Sequence, residues 1–147
     1  FQLLEAAGLI SDMHFMLQLE VVDRLAAGPG TKGWGRLGVM AQFYCEIEKM
    51  FEVPPEAFFP APRVQSAVVR LTPRRTNPWP ECDPEQLAFV VTRAFAQRRK
   101  TLLNNFKGFF DAANLEALGI DPGVRAETLT LDQFVALAAI AQPEAIA

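Results

Sequence analysis

The sequence is poor in the side chains that build most metal and nucleophilic sites. Its 147 residues include one histidine, His14, and two cysteines, Cys45 and Cys82. The cysteines lie far apart without the spacing of zinc ligands, which favours free thiols in a reducing compartment over a disulfide. His14 falls in an apolar run with no second histidine nearby, so we expect a buried core residue rather than a ligand. The composition predicts no metal site.

Long hydrophobic runs are also missing. The longest unbroken apolar stretch covers only residues 134–141, whereas a membrane span needs about 20 apolar residues. Residues 1–8 resemble a helix closing at Gly8 rather than a signal peptide, and no initiator methionine precedes them. We therefore expect a chain that begins inside a longer protein and that works in the cytoplasm.

A strong positive charge is lacking as well, since 14 basic residues face 17 acidic ones and the net charge is −3. The distribution is uneven, because residues 63–107 hold nine Arg or Lys and three acidic residues, a local balance of +6. Such asymmetry indicates a side that faces a polyanion, although charge runs more often form an ordinary solvated face. The apolar fraction of 50% is enough for one domain or two small ones.

The first half of the chain alternates helical and strand patterns. Residues 13–18 are nearly all apolar and predict a strand buried on both faces. Residues 20–25 predict a helix that ends near Gly28, and residues 37–45 predict a second helix. Residues 46–53 alternate polar and apolar side chains, which is typical of a half-exposed strand. This alternation predicts an α/β sheet.

A glycine-rich stretch interrupts these elements. Residues 28–36 contain four glycines, one tryptophan and two basic side chains, in a spacing that fits neither a P-loop nor a dinucleotide fingerprint. The sequence supports two interpretations equally: a flexible connector, or a loop that contacts substrate.

A proline-rich loop, residues 53–65, precedes a β-rich run at residues 66–71. Its prolines hold the backbone extended, so the loop presents Phe58 and Phe59 at the mouth of the sheet, beside Arg63. Rigid exposed aromatic rings near a cation suit stacking on a nucleobase. Composition alone instead favours, by about two to one for each ring, a phenylalanine that fills a core.

The second half predicts helices. Residues 72–84 contain four prolines, so we expect residues 73–83 to link an α/β part, residues 1–72, to a helical part, residues 84–147. Helix-start patterns at Asp83, Thr101 and Thr130, and a helical stretch from Asp111 to Leu118, then predict a small all-α bundle.

Several stretches resemble one known family. Residues 58–68, Phe58-Phe59-Pro60-Ala61-Pro62-Arg63-Val64-Gln65-Ser66-Ala67-Val68, are similar to the F-x-P-x-P-x-V-D-S-A-V segment of the ribosomal RNA adenine dimethyltransferases. Further matching stretches lie in the same order at residues 12–22, 35–42, 94–102 and 119–127. The resemblance points to the bacterial small-subunit type, which dimethylates two adjacent adenines near the 3′ end of small-subunit rRNA.

The resemblance also implies a missing part. In the family, S-adenosylmethionine lies on a glycine-rich turn, and an Asn-Leu-Pro-Tyr motif holds the adenine amino group; this sequence has neither. We therefore expect the last strands and helices of a Rossmann-like methyltransferase domain, followed by a small all-α C-terminal domain, and a chain that is inactive alone. One local departure is Gln65, where the family usually has aspartate.

The resemblance assigns Phe58 the catalytic role of stacking on the target adenine, with no cofactor or metal ligand in this chain. Its implied partners are small-subunit rRNA and the assembling small ribosomal subunit, without a membrane. Arg98 would continue an apolar helical stripe, so for Arg98 and Arg99 internal pairing has nearly equal weight to RNA contact. The cations predicted to contact RNA phosphates are Lys32, Arg36, Arg63, Arg98, Arg99, Lys100 and Lys107.

Two alternatives remain open. A non-enzymatic RNA-binding or ribosome-assembly module could use the helical part and the basic stretch without catalysis. A DNA-binding relative, similar to the mitochondrial transcription factors of this fold, could do the same. The sequence upstream discriminates them, because only the enzyme needs the glycine-rich turn and the Asn-Leu-Pro-Tyr motif.

Overall fold

The computed structural model describes residues 9–141, so the helix predicted for residues 1–8 lies outside the described part. In chain order the elements are β1 (Met13–Gln18), α1 (Leu19–Ala26), α2 (Arg36–Tyr44), β2 (Cys45–Val53), a 3₁₀ turn (Pro55–Ala57), β3 (Ser66–Pro73), α3 (Pro84–Ala94), α4 (Leu102–Asn105), α5 (Ala112–Ala117), a further 3₁₀ turn (Ala126–Thr128) and α6 (Leu131–Ile140). The strands and helices predicted between residues 13 and 71 are confirmed, with boundaries that differ by one or two residues.

The three strands form one antiparallel sheet in the order β1-β3-β2. β3 pairs with β1 from Met13↔Leu71 to Gln18↔Ser66, and with β2 from Cys45↔Pro73 to Val53↔Ser66. The central place of β3 follows from its sequence, because its small and β-branched side chains Ala67 and Val69 are fully buried.

Two predictions about β1 are wrong. The strand is not buried on both faces, since Phe15 is 36% exposed and Met16 is 54% exposed. His14 is not a core residue, because its side chain is 49% exposed and its Nδ1 lies 3.6 Å from Asp12 Oδ1. The physical reason is that, among the described strands, β1 pairs only with β3, so much of its surface has no described neighbour.

Helix α1 covers one face of the sheet. Its apolar side chains Val22 and Leu25 are buried against Ala67 and Val69 of β3, while Ala41 of α2 completes this small core. On the outer face, Arg24 pairs with Glu20 one turn earlier, the arrangement that supports exposed helices. The helical periodicity of α1 therefore fixes which side meets the sheet.

Helix α2 connects this layer to the second half of the chain. Its Val39, Met40 and Phe43 belong to a larger core formed mainly by α3 to α6. The crossing of α1 and α2 is tight at Gly38, where an added Cβ would lie 2.7 Å from the Arg24 carbonyl oxygen and 3.3 Å from the Trp34 ring. Only a residue without a side chain fits between these two helices.

The elements that follow residue 83 within the described part are all helical. Each of the four α-helices begins after a residue whose side chain accepts a backbone N–H: Asp83 from Glu85, Thr101 from Asn104, Asp111 from Asn114 and Thr130 from Gln133. These capping side chains confirm the helix starts that the sequence predicts. The buried faces meet in the larger core, whose fully buried members include Leu87, Val90, Phe106, Leu115, Phe134 and Leu137.

The proline-rich stretch 73–83 is attached to both halves. Trp79 stacks on Phe43 of α2 with ring centroids 5.6 Å apart, and its Nε1 donates to Asp132 Oδ1 of α6 at 2.7 Å. Arg74 lies over the same indole, 5.8 Å from its centroid. A tryptophan therefore anchors this stretch between α2 and α6.

Within residues 9–141, none of the helices has the length and apolar character needed to cross a bilayer.

Candidate functional site

The proline-rich loop lies where three strand ends meet. Ser66, the first residue of β3, pairs with Gln18 at the end of β1 and with Val53 at the end of β2. Residues 54–65 therefore span the carboxyl ends of two strands, an edge where α/β proteins commonly bind ligands. The loop is also bonded to α1, because the Leu19 N–H donates to the Gln65 carbonyl at 2.8 Å.

The backbone of this loop is held in a defined shape. The 3₁₀ turn follows Pro54, and the N–H groups of Ala57 and Phe58 donate to the carbonyls of Pro54 and Pro55 at 3.1 Å. After the turn the chain becomes extended at Phe58, with φ −117° and ψ 151°. Fixed proline torsions and these hydrogen bonds reduce the conformations open to the two aromatic residues.

The two phenylalanines lie in different environments. Phe58 is half-buried, whereas the Phe59 side chain is 103% exposed. The core position that composition favours is therefore wrong for Phe59. The 3₁₀ turn ends at Phe58, and Phe59 lies beyond it in a bend of the chain.

Gln65 ties the loop to β2. Its Nε2 donates to Glu52 Oε2 at 3.0 Å, while Glu52 Oε1 accepts from Lys49 Nζ at 3.2 Å. Lys49 also donates to Asp23 of α1 at 3.0 Å, and these hydrogen bonds, first to Asp23 and then to Glu52, raise the pKa of Lys49. An aspartate at position 65 would face the Glu52 carboxylate, so the amide suits this neighbourhood.

The glycine-rich stretch is hydrogen-bonded to the second half of the chain. The Gly30 N–H donates to the Glu127 carbonyl at 2.7 Å. Trp34 is only 1% exposed, and its Nε1 donates to the Leu129 carbonyl at 2.8 Å. These contacts make the stretch a structured connection between the sheet layer and the helical elements, which neither sequence reading anticipated.

Arg98 completes this connection. It follows the end of α3, and its guanidinium donates to the carbonyls of Lys32 and Trp34, the latter at 3.3 Å. The same guanidinium pairs with the Glu127 carboxylate at 3.2 Å. The helix ends before Arg98, and the arginine pairs internally, which is the alternative to RNA contact that the sequence left open. The geometry supports a role for Arg98 in holding the glycine-rich stretch.

We expect Arg98→Ala to lower the free energy of unfolding by about 1 kcal/mol, because it removes charge-assisted hydrogen bonds from a half-exposed site. The measurement is urea denaturation of the full-length protein that carries this chain. Arg99→Ala is the matched control, since Arg99 is exposed and forms no ion pair with any residue of the described part. Equal stability of the two variants would contradict the proposed role of Arg98.

The other predicted RNA contacts are exposed, and none forms an ion pair within the described residues. These cations lie in different parts of the surface. Lys32 lines a depression of about 540 Å³ together with Val64 and Gln65 of the proline-rich loop. Arg36 instead lines an apolar groove between α2 and α3, about 580 Å³ in volume. The remaining cations are Arg63 on the loop and Arg99, Lys100 and Lys107 near α4.

Groups that could hold a metal or act as nucleophiles are scarce. Among residues 9–141, no cluster of three or more histidine, cysteine, aspartate or glutamate side chains could hold a metal ion. Cys45 is buried, Cys82 is half-buried, and both are free thiols. Burial raises the pKa of each thiol, which keeps them protonated at neutral pH.

Trp34 is the structural residue of this region that sequence reasoning did not single out. A signal was present, because a tryptophan flanked by Gly33 and Gly35 can bury its large ring where the chain approaches closely. A buried indole N–H also requires an acceptor. What the sequence did not show is that this acceptor is Leu129, at a distance of 95 residues along the chain.

The chain is similar to proteins of one family. Residues 1–142 match the model of a family described as ribosomal RNA adenine dimethylase. The chain is 58% identical over 137 residues to ribosomal RNA small subunit methyltransferase A of Saccharophagus degradans, covering 93% of the chain and 51% of the relative. It is 59% identical over 138 residues to the protein of the same name from Vibrio cholerae, covering 94% and 51%. The chain thus spans about half the length of the curated relatives it matches.

Two solved structures share the fold. A dimethyladenosine transferase from Plasmodium falciparum superposes with a TM-score of 0.74 at 22% identity, over 87% of this chain and 56% of that one. The 23S rRNA methyltransferase ErmE superposes with a TM-score of 0.64 at 23% identity, over 88% and 54%. The small antiparallel sheet with its helices is therefore part of a methyltransferase fold.

Proposed function

The chain belongs to the ribosomal RNA adenine dimethylase family, and from that premise we propose that the protein carrying it dimethylates the exocyclic amino groups of two adjacent adenines near the 3′ end of small-subunit rRNA. The observation that carries the proposal is the identity of 58% to a small-subunit rRNA methyltransferase across nearly the whole chain. The reaction would use S-adenosylmethionine and would belong to ribosome assembly in the cytoplasm.

The chemistry assigns this part of the protein a positioning role. The exocyclic amine of adenine is a weak nucleophile because its lone pair is delocalised into the ring. The enzyme must therefore take the base out of its stack and aim the amine at the methyl donor. Phe58, half-buried on a rigid loop at the carboxyl ends of two strands, offers one face of such a base pocket. Stacking on an aromatic ring contributes about 1–3 kcal/mol per base.

The described residues do not fit a site for the methyl donor. The glycine-rich stretch follows helix α1 rather than a strand, and the carbonyls of Lys32 and Trp34 are taken by Arg98. Its Gly30 N–H is taken by Glu127. When bound, S-adenosylmethionine supplies an electrophilic methyl group on sulfur. We infer that residues outside this chain hold it, and that this chain contributes the base pocket and the rRNA-binding surface.

The arrangement of the chain follows from this division. We propose that residues 1–72 form the C-terminal part of a Rossmann-like methyltransferase domain and that residues 84–147 form a helical domain, with residues 73–83 between them. The contacts of Trp79 with Phe43 and Asp132 would keep the two parts in fixed orientation on the small ribosomal subunit.

Phosphate contacts predict a salt-dependent affinity for RNA. With four to six cations on phosphates, the affinity is expected to fall about 50- to 300-fold between about 50 and 200 mM salt. Lys100→Gln should make the slope of log affinity against log salt shallower by about 0.7. Arg70→Gln is the control, since Arg70 pairs with Glu48 across the sheet and should leave the slope unchanged. A flat dependence would remove the phosphate assignments.

The proposed function is tested by methyl transfer. The full-length protein is incubated with methyl-labelled S-adenosylmethionine and with small-subunit or large-subunit rRNA as separate substrates. Methyl transfer to small-subunit rRNA but not to large-subunit rRNA supports the proposal. Tight RNA binding without any transfer would instead support the RNA-binding or assembly module.

A further inference from the structure

The most exposed large apolar side chain in the described part is that of Phe59, at 103%. The proposed adenine pocket uses Phe58 and leaves this neighbouring ring without a role. An aromatic ring held fully in water loses the stabilisation that burial would provide. A ligand that covers it would recover that stabilisation.

The two neighbouring rings do not share one environment. Phe58 ends the 3₁₀ turn with extended torsions, and Phe59 follows it in a bend of the chain. The difference in exposure agrees, since Phe58 is half-buried and Phe59 is open to solvent. Because the two rings differ so much in exposure, we assign them different ligands, although they lie only one residue apart.

The loop holds Phe59 in place before any ligand arrives. The 3₁₀ turn at Pro55–Ala57 precedes it, Pro60 follows it, and the far end of the loop is bonded to Leu19 and Glu52 through Gln65. A loop whose backbone is already ordered loses less conformational entropy on binding. This rigidity suits a stacking platform.

The charges near the loop indicate what the ligand is. On the same loop Arg63 is exposed four residues after Phe59, and Glu56 is exposed three residues before it. Lys32 borders the depression that Val64 and Gln65 also line. In that depression the acidic side chains are engaged, because Glu20 pairs with Arg24 and Asp23 pairs with Lys49. A fully exposed ring on a loop that carries Arg63 and borders the depression with Lys32 suits single-stranded nucleic acid better than an apolar protein segment.

We propose that Phe59 stacks on the base of a nucleotide that flanks the target adenine, which makes it a second base-binding position beside Phe58. This inference deepens the proposed function and rests on it. The two rings would hold the displaced adenine and its neighbour on opposite sides of the loop, and the phosphates would lie toward Arg63 and Lys32.

The test is a double-mutant cycle in which substitutions in the full-length protein are combined with changes in the RNA. Binding of short single-stranded RNAs with two adjacent adenines is measured for wild type, Phe59→Leu and Phe59→Tyr. One RNA is intact, and two others carry an abasic nucleotide on the 5′ or the 3′ side of the adenines. Phe59→Leu should weaken binding of the intact RNA about five- to tenfold. Phe59→Tyr, which keeps the ring, should bind like wild type.

The decisive result is the coupling between the two changes. For wild type, one of the two abasic RNAs should bind about five- to tenfold more weakly than the intact RNA. For Phe59→Leu, the same abasic RNA and the intact RNA should bind with equal affinity. Equal losses in both proteins for both abasic RNAs would overturn the inference. So would a lowered melting temperature of Phe59→Leu without RNA coupling, because the ring would then pack against another part of the protein.

A parallel methyl-transfer assay separates this inference from the proposed function. Transfer by wild type without coupling at Phe59 overturns only the second base position. Coupling without any transfer overturns the proposed function and supports the base contact. Absence of both methyl transfer and coupling at Phe59 overturns the proposed function and the second base position.

Discussion

Phe58→Ala in the full-length protein is expected to lower the rate of methyl transfer at least about a hundredfold while weakening RNA binding less than about fivefold. Without the ring the displaced adenine has no surface to lie against, and a shift of the amine by about 1 Å can cost this much rate. Binding changes less because stacking on Phe58 is offset by the cost of unstacking the base. Phosphate contacts supply most of the affinity.

Controls separate this role from a structural one. Phe58→Tyr keeps an aromatic face and should retain most of the activity, whereas Phe58→Leu keeps apolar volume and should behave like alanine. Because Phe58 is half-buried, urea denaturation of each variant shows whether the loop still folds. Equal losses of binding, transfer and stability would make Phe58 a structural residue and would remove it from the site.

Trp34→Ala should lower the free energy of unfolding by about 3–5 kcal/mol. The indole is 1% exposed within the larger core, so its removal leaves a cavity. It also leaves the Leu129 carbonyl, now bonded to Nε1 at 2.8 Å, without its donor. Urea denaturation of the full-length protein measures the loss.

Two variants separate volume from hydrogen bonding. Trp34→Phe keeps most of the ring but loses the N–H, and should cost about 1–3 kcal/mol. Trp79→Phe loses a similar N–H whose acceptor, Asp132, is exposed, so it should cost less. A change below about 1 kcal/mol for Trp34→Ala would contradict the description of Trp34 as a buried anchor.

Features that depend on neighbouring residues were predictable from the sequence. The caps at Asp83, Thr101 and Thr130 accept backbone N–H groups two or three residues along the chain, and capping is a local property. The proline-rich loop and the strand after it follow from torsions that proline itself fixes. For the same reason the helical elements of the second half were identified correctly.

Features that depend on distant partners were not predictable. The apolar run of β1 indicated burial on both faces, but burial also requires partner strands, and the described residues place only β3 beside it. The glycine-rich stretch looked mobile because its anchors, Leu129 and Glu127, come from the other half of the chain. Composition placed Phe59 in a core, whereas its ring is fully exposed on the loop.

The proposed dimethylation of adenines in small-subunit rRNA is tested most directly by nucleoside mass spectrometry of that rRNA, after incubation with the full-length protein and S-adenosylmethionine. We expect N6,N6-dimethyladenosine to accumulate to two residues per rRNA with wild type, and almost none with Phe58→Ala. Unmodified adenosine with wild type, under conditions where the protein binds the rRNA, would contradict the claim.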